Sequence, residues 1–235
     1  MKKFRGWLWR WIGRSVTIFF ALLVLYQVWL FAHICWWTKF NPSSSAFMET
    51  RLEIMQNKNP DAALQYRWVP YAKISDNLKR ALIAAEDASF VDHEGFDWEG
   101  IQKAYAKNLR KGKVVAGGST ISQQLAKNLF LSTKRTPWRK LEEAAITLML
   151  ETVMDKQRIF EIYLNVIEWG NGVFGAEAAA RHYYQTSAAQ LSAEQAAQLA
   201  AMVPNPRYYD KHREARGLLR KTDIIRARMD DAEIP

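Results

Sequence analysis

The sequence predicts a mainly α-helical domain that follows a single transmembrane helix. Residues 15–38 contain no charged side chain, and the run from Val16 to Cys35 is mostly apolar and long enough to cross a bilayer as a helix. Beyond it, apolar residues recur at helical spacing, whereas the alternating runs typical of strands are scarce. The 235 residues suffice for one full-sized domain and an appendage.

The charge distribution predicts the orientation of the transmembrane helix. Five of the nine net positive charges lie in the first 15 residues, which contain no acidic residue. The positive-inside rule therefore places the N-terminus in the cytoplasm and the rest of the chain on the periplasmic or extracellular side of the cytoplasmic (inner) membrane. A retained anchor is favoured over a cleaved signal peptide, because the apolar core is too long and no small-residue cleavage site follows. The remainder is only mildly basic, which argues against a nucleic-acid partner.

The chain is expected to divide into four parts. Residues 1–15 form a basic cytoplasmic tail, 16–37 the anchor, 38–65 a linker and membrane-proximal segment, and 66–235 the main folded domain. The linker is suggested by the Asn-Pro-Ser-Ser-Ser stretch at 41–45. The one cysteine allows neither an internal disulfide nor a cysteine-based metal site.

Capping residues predict where the helices of this domain begin. Helices are expected to start after Ser75, Asp97, Thr120, Thr136, Asp155 and Ser192. The first should end near Glu86 and the fourth near Met154, and a last amphipathic helix should span roughly 212–229. Residues 66–71 are the best candidate for an extended segment, because Pro70 disfavours a helical conformation before it.

Acidic residues at the end of the first of these helices form the first candidate site. Glu86 and Asp87 follow an apolar run, and Phe90, His93 and Gly95 come next at short spacing. An ionised carboxylate is costly in a half-buried place, and sites that transfer protons often keep one there. The alternative, which the stretch alone favours equally, is a solvated acidic turn at the end of a helix with no part in proton transfer.

Glycine and basic residues form two further candidate sites. Gly117 to Gln124 opens a capped helix that carries Lys127, so backbone N–H groups and a cation could cradle a diphosphate; an ordinary mobile glycine loop is the alternative. Arg139, Lys140 and Glu143 share one face of the next helix, either as a solvated ion-pair face or as a charged cleft. A fourth motif, 156–165, is interpreted mainly as core, with Asn165 shaping a turn.

Together and in this order, the four motifs resemble those of the family 51 glycosyltransferases, the peptidoglycan glycosyltransferases. E-D-x-x-F-x-x-H-x-G stands at 86–95, G-G-S-T-I-x-Q-Q at 117–124, R-K-x-x-E at 139–143 and K-x-x-I-x-E-x-Y-L-N at 156–165. The resemblance covers about residues 78–206. Phe160 and Ala201 stand where the family usually has Leu and Gly, and neither change affects the expected chemistry.

The resemblance implies a lysozyme-like fold and polymerisation of lipid II into β-1,4-linked glycan, with release of polyprenyl diphosphate. The chain lacks Ser-x-x-Lys, which a penicillin-binding domain would carry, so a monofunctional enzyme with no transpeptidase domain is expected. The implied partners are lipid II, the growing lipid-linked chain, the membrane, and proteins of cell-wall synthesis or division. A lysozyme-like hydrolase or lytic enzyme and a non-catalytic membrane scaffold are the alternatives.

The resemblance also implies a role for each site residue. Glu86 would be the general base, and Glu143 would assist the departing diphosphate directly or through a bound cation. Binding of substrate and diphosphate is expected from Ser119, Gln123, Gln124, Lys127, Arg135, Arg139 and Lys140. Supporting roles are expected for Asp87, Phe90, His93, Gly95 and Asn165. No cofactor is required, although a divalent cation, Mg²⁺ or Mn²⁺, near Glu143 is left open.

Overall fold

The computed structural model describes residues 2–113, 117–134 and 136–235, with side chains from residue 11 onward. The chain divides into two compact units, of which the first ends at Phe40 and the second is Asn41–Pro235. Helix α1 (Lys2–Trp37) accounts for most of the first unit. Its Trp11–Trp37 stretch is long and apolar enough to cross a membrane, and most of its large apolar side chains are exposed. The helix also takes in most of the basic tail, so it begins well before the predicted start at residue 16.

Ten helices account for most of the second unit in the described residues, so the prediction of a mainly α domain is confirmed. They are α2 (Ala46–Gln56), α3 (Asp76–Glu86), α4 (Trp98–Lys111), α5 (Ile121–Phe130), α6 (Pro137–Val153), α7 (Lys156–Val166), α8 (Ala176–Tyr184), α9 (Ala193–Met202), α10 (Pro206–Lys211) and α11 (Arg216–Arg226).

The predicted helix starts are confirmed, since each expected capping side chain accepts a hydrogen bond from a backbone N–H of the first turn. These side chains are Ser75, Asp97, Thr120, Thr136, Asp155 and Ser192. Thr120 and Ser192 each form a full capping box with a glutamine three residues later. Local side-chain chemistry thus determines where these six helices begin.

Three short strands form a small sheet beside the helices. These are β1 (Gln65–Tyr66), β2 (Glu168–Gly170) and β3 (Val173–Phe174), in the order β1-β3-β2. Strand β3 pairs in parallel with β1 and in antiparallel with β2. The extended segment predicted at 66–71 is only partly a strand. Beyond β1, the side chain of Asn165 holds Val69 by accepting from its N–H at 2.9 Å and donating to its carbonyl at 3.0 Å.

The structure differs from the expected organisation at both ends of the domain. Helix α2 lies inside the segment predicted as a linker and packs against α5, so residues from 41 onward belong to the folded unit. The last amphipathic helix is shorter than predicted, because its expected first turn falls in the break between α10 and α11.

Two groups of helices build the core and position the candidate site. Helix α3 packs against α9 and α11, and α5 packs against α6 and α7. Apolar side chains from both groups are fully buried, including Leu82 of α3, Leu125 of α5 and Phe160 of α7. The C-terminal end of α3, which carries Glu86, therefore lies beside α5, which carries Gln124 and Lys127.

Candidate functional site

Glu86 is the last residue of α3, and its side chain is only 12% exposed. Its Oε2 accepts a hydrogen bond from Gln124 Nε2 at 3.0 Å, and its Oε1 lies 3.7 Å from Lys221 Nζ of α11. Burial raises the pKa of Glu86, and this effect outweighs the opposing influence of Lys221, Gln124 and Lys127. The carboxylate is therefore buried and costly to ionise, as a general base working near neutral pH requires.

Asp87 ties the end of α3 to the start of α5. The carboxylate accepts a hydrogen bond from the backbone N–H of Ile121 at 2.9 Å, and one of its oxygens lies 3.0 Å from His93 Nε2. Asp87 is buried, and both of these partners come from segments that follow it in the chain. The two neighbouring carboxylates therefore have different surroundings. Glu86 faces Gln124 and Lys221, while Asp87 holds two segments of the chain together.

The turn after the acidic pair is fixed by a glycine and a buried ring. Gly95 has a φ of +86°, and a Cβ there would lie 2.8 Å from Cγ2 of Thr147. Its carbonyl accepts from the hydroxyl of Thr120 at 2.7 Å. Phe90 is fully buried, with its ring centroid 5.5 Å from that of Phe160. These contacts hold the turn in place, and the supporting role expected of both residues stays a prediction.

Three backbone N–H groups at the start of α5 are already paired within the protein. The N–H of Ile121 donates to Asp87, the N–H of Gln123 to the Thr120 hydroxyl, and the N–H of Thr120 to Gln123 Oε1. The expectation of a backbone cradle at this helix N-terminus is therefore corrected for these three N–H groups. Ser119, just before the helix, is exposed and accessible to a ligand.

A buried carboxylate organises the basic residues of α6. Glu143 is 3% exposed, and one of its oxygens accepts from Arg139 Nη1 at 2.8 Å while the other pairs with Lys140 Nζ. The pKa of Lys127 is lowered, chiefly by burial, against the opposing effect of Glu143. Arg139 is mostly buried, whereas the side chain of Lys140 is half exposed. The cluster keeps net positive charge although one carboxylate lies within it.

These side chains line two cavities that share Ser119. The smaller, of about 230 Å³, is lined by Glu86, Asp97 and the glycines before α5. The larger, of about 530 Å³, is lined by Gln124 and by the cluster of Lys127, Arg139, Lys140 and Glu143. Ser119 lines both. The site therefore has a carboxylate in one cavity and a cation cluster in the adjoining one.

Three of the expected substrate-binding residues are Gln123, Gln124 and Arg135. Gln123 is buried, and its Oε1 accepts from the N–H of Thr120 in the capping box. Its Nε2 is not part of that motif. Gln124 is engaged at both ends, because its Oε1 also accepts from the hydroxyl of Tyr163 at 3.0 Å. Arg135 lies outside the residues that the structure describes.

The structure adds residues that sequence reasoning did not select. Lys221 approaches Glu86 from α11, and nothing in its sequence context distinguishes it from other lysines of an amphipathic helix. Glu168 lines the larger cavity, 2.9 Å from Arg51 Nε and 3.6 Å from Arg207 Nε. Burial raises the pKa of Glu168, against the effect of the two arginines. Tyr163 lies in the fourth motif, where its apolar position predicts only a place in the core.

The donor set around Glu143 does not fit a dedicated metal site. Both oxygens of this carboxylate are already bound by cationic side chains, which disfavour a second cation at the same place. Within residues 2–113, 117–134 and 136–235, no group of three or more His, Cys, Asp or Glu side chains is arranged to hold a metal ion.

Comparison with known proteins identifies the family. The family model described as transglycosylase matches residues 53–230. A biosynthetic peptidoglycan transglycosylase of Methylobacillus flagellatus is 72% identical over 222 residues, which are 94% of this chain and 97% of the relative. Proteins of the same name from Laribacter hongkongensis and Chromobacterium violaceum are 66% and 67% identical, over 96% and 92% of this chain and 99% and 94% of theirs. With its buried Glu86 beside a cluster of cations, the chain belongs to the transglycosylase family.

Proposed function

We propose that this chain is a peptidoglycan glycosyltransferase that polymerises lipid II. The observation that carries the proposal is the pair of adjoining cavities: one contains a buried carboxylate, and the other contains Lys127, Arg139 and Lys140. A sugar hydroxyl must lose a proton and a diphosphate must leave in this reaction. The two cavities match those two requirements, with Ser119 at the boundary where the reacting atoms would meet.

Glu86 is the proposed general base. The 4-hydroxyl of the acceptor GlcNAc attacks C1 of the donor MurNAc, and Glu86 takes up the hydroxyl proton as the new C–O bond forms. The bond from C1 to the diphosphate oxygen breaks, and its electron pair leaves with the polyprenyl diphosphate. Because an α-linked diphosphate is displaced in one step, the product is β-1,4-linked. No covalent intermediate with the enzyme is needed.

The cation cluster is proposed to bind the leaving group. Lys127, Arg139 and Lys140 would neutralise the negative charge that develops on the diphosphate as the bond to C1 breaks. Glu143 orients Arg139 and Lys140 through its two ion pairs, which suits a positioning role better than direct proton donation. We also propose that these side chains neutralise the diphosphate without a resident metal ion.

A hydrolase is the nearest alternative, and the surroundings of Glu143 disfavour it. A glycosidase needs a second carboxyl group as acid, nucleophile or base beside the scissile bond. In the adjoining cavity Glu143 is held between two cations, and Glu168 is paired with two arginines. This arrangement suits an anionic leaving group better than a neutral sugar alcohol.

Polymerisation of lipid II by the purified full-length protein tests the function. The expected products are lengthening glycan chains, formed equally with and without a chelator. In Glu86→Gln the rate should fall about 10²–10⁴-fold, the usual contribution of a general base. Glu99→Gln is the matched control, because that side chain is 77% exposed and lies on α4. Cleavage of finished glycan with no polymerisation would establish the hydrolase instead, and full cellular function of the inactive variant would favour a scaffold.

We propose that α1 anchors the enzyme in the cytoplasmic membrane with its N-terminus inside. The anchor would hold the site close to lipid-linked substrates, and proteins of cell-wall synthesis or division are proposed partners on the resemblance alone. In a Cys35→Ser background, Ser44→Cys should react with a membrane-impermeant maleimide in spheroplasts, whereas Lys3→Cys should react only after lysis. The reverse labelling pattern would overturn this orientation.

A further inference from the structure

A buried chain of hydrogen bonds leads from α7 to Glu86. The hydroxyl of Tyr163 donates to Gln124 Oε1 at 3.0 Å, and Gln124 Nε2 donates to Glu86 Oε2 at 3.0 Å. Tyr163 is fully buried, and the ring of Phe160 stacks on it with centroids 6.2 Å apart. The phenol therefore has little freedom to take up another orientation.

The two ends of the Gln124 side chain differ in what they can accept or donate. An ionised carboxylate only accepts hydrogen bonds, so it requires the NH₂ end of the amide. The phenol, which is held in place by its packing, donates to Oε1 and so anchors the amide with its NH₂ end toward Glu86. Burial raises the pKa of Tyr163 well above its ordinary value, so its hydroxyl keeps the proton that it donates. The chain thus favours the amide orientation that matches the ionised form of Glu86.

We propose that Tyr163 is a positioning residue that acts through Gln124 to hold Glu86 in its proton-accepting state and orientation. The inference rests on the proposed role of Glu86 as base. It also assigns Gln124 a task besides the binding of phosphate or sugar, because each end of its side chain makes a hydrogen bond within the protein.

Other charged groups also act on Glu86, apart from the relay formed by Tyr163 and Gln124. Lys221 approaches from α11 at 3.7 Å, Lys127 influences Glu86 from α5, and Asp87 adjoins it in the chain. Both lysines favour the ionised carboxylate, but neither determines which way the amide of Gln124 faces. Of the groups named here, only the Tyr163 hydroxyl contacts the far end of that amide.

The test is the pH dependence of kcat/KM for lipid II polymerisation in Tyr163→Phe. This variant removes one oxygen, so the Gln124 amide loses the contact that anchors it and its hydrogen bond to the ionised Glu86 weakens. The acidic limb should move to higher pH by about half to one unit, which corresponds to the net free energy of one neutral hydrogen bond. The rate well above the limb should change much less.

Tyr184→Phe is the matched control. The hydroxyl of Tyr184 also donates to a glutamine oxygen, Gln198 Oε1, at 2.6 Å, but on α8 and α9 rather than at Glu86. Tyr184→Phe should leave the acidic limb unchanged.

Gln124→Met, at a half-buried position, should reproduce the shift of the acidic limb, and it serves as the test if Tyr163→Phe does not fold. The double variant should shift the limb no further than Gln124→Met alone.

The outcomes separate this inference from the proposed function. An unshifted limb in both Tyr163→Phe and Gln124→Met, with Glu86→Gln inactive, would overturn the relay and leave Glu86 as base. A loss of rate by the same factor at every pH would indicate a merely structural role for Tyr163 and would also overturn it. Retained polymerisation by Glu86→Gln would instead remove the base, and the relay with it.

Discussion

The carboxylate of Asp87 accepts a hydrogen bond from the backbone N–H of Ile121 at 2.9 Å, which joins the residue after α3 to the first residue of α5. Ile121 N–H is one of the donors that a helix leaves without an intrahelical partner, and a carboxylate there also interacts favourably with the helix dipole. Because the two helix ends are joined at this point, Glu86 lies within reach of Gln124.

Asp87→Leu should destabilise the fold. Leucine is close in size but leaves the Ile121 N–H and the His93 ring nitrogen without their carboxylate partner in a buried place. We expect the free energy of unfolding to fall by about 2–4 kcal/mol, as buried donors lose their acceptor. Urea unfolding measures this. Asp87→Asn should recover part of the loss, since its amide oxygen can still accept from Ile121, and equal losses in the two variants would contradict the assignment.

The pH dependence of catalysis should report Glu86. Burial raises its pKa above the ordinary value of 4.5, and the base must be ionised to accept a proton. As the pH falls through this raised pKa, kcat/KM should drop with a slope that corresponds to one proton. A rate profile measured between about pH 4 and pH 8 locates the midpoint, and a midpoint at or below 4.5 would contradict the buried environment.

Glu86→Gln should stabilise the protein while it removes activity. The raised pKa means that folding disfavours the ionised form, so the wild-type protein loses stability as the pH rises from the unfolded-state pKa through the folded-state pKa. Glutamine cannot ionise and avoids this loss. The melting temperature of Glu86→Gln should therefore exceed that of the wild type at pH 7, and the difference should shrink toward pH 4. A variant that is less stable at pH 7 would contradict the prediction.

Gly95→Ala should destabilise the turn after the acidic pair. The residue has a φ of +86°, and an added Cβ would lie 2.8 Å from Thr147 Cγ2. Strain of this kind costs about 1–3 kcal/mol. Gly117→Ala is the control in the same region, because a Cβ there meets no atom within 4 Å. Thermal unfolding of the two variants should separate them, and equal melting temperatures would show that the turn tolerates a side chain.

Lys127→Met should slow polymerisation without disturbing the fold. It removes a half-buried cation of the cluster, and methionine keeps the length of the apolar stem. Loss of one group that stabilises transition-state charge is expected to lower kcat by about 10²-fold. Lys103→Met, at an exposed position on α4, is the matched control. An unchanged kcat with a higher KM would indicate that Lys127 binds the substrate and does not stabilise the leaving group.

Features with a local cause were predictable from the sequence, and long-range contacts were not. Ser75 and Asp155 indicate helix starts because a capping side chain acts within three residues of itself. Lys221 is far from Glu86 in the chain, so only the packing of α11 against α3 could reveal their contact. The motifs identified Glu86 and Glu143, but the partners that surround each of them depend on how separate helices pack.

Helix α2 and the relay illustrate the same limit. Helix α2 begins at Ala46, after one proline and three serines that resemble a linker, and its packing against α5 is a tertiary contact. Tyr163 stands at an apolar position of α7, where core and function give the same sequence pattern. Its hydroxyl becomes informative only once Gln124 is placed 3.0 Å away.

The pairing of Glu143 with Arg139 and Lys140 has a consequence for how the charged cavity meets its substrate. Long cationic side chains lose rotational freedom when they gather around a ligand, and that entropy normally opposes binding. Here the buried carboxylate restrains two of them during folding, before the diphosphate proposed as their ligand arrives. The cavity is thus preorganised: an incoming anion meets donors that are already aligned, and little rearrangement separates encounter from reaction.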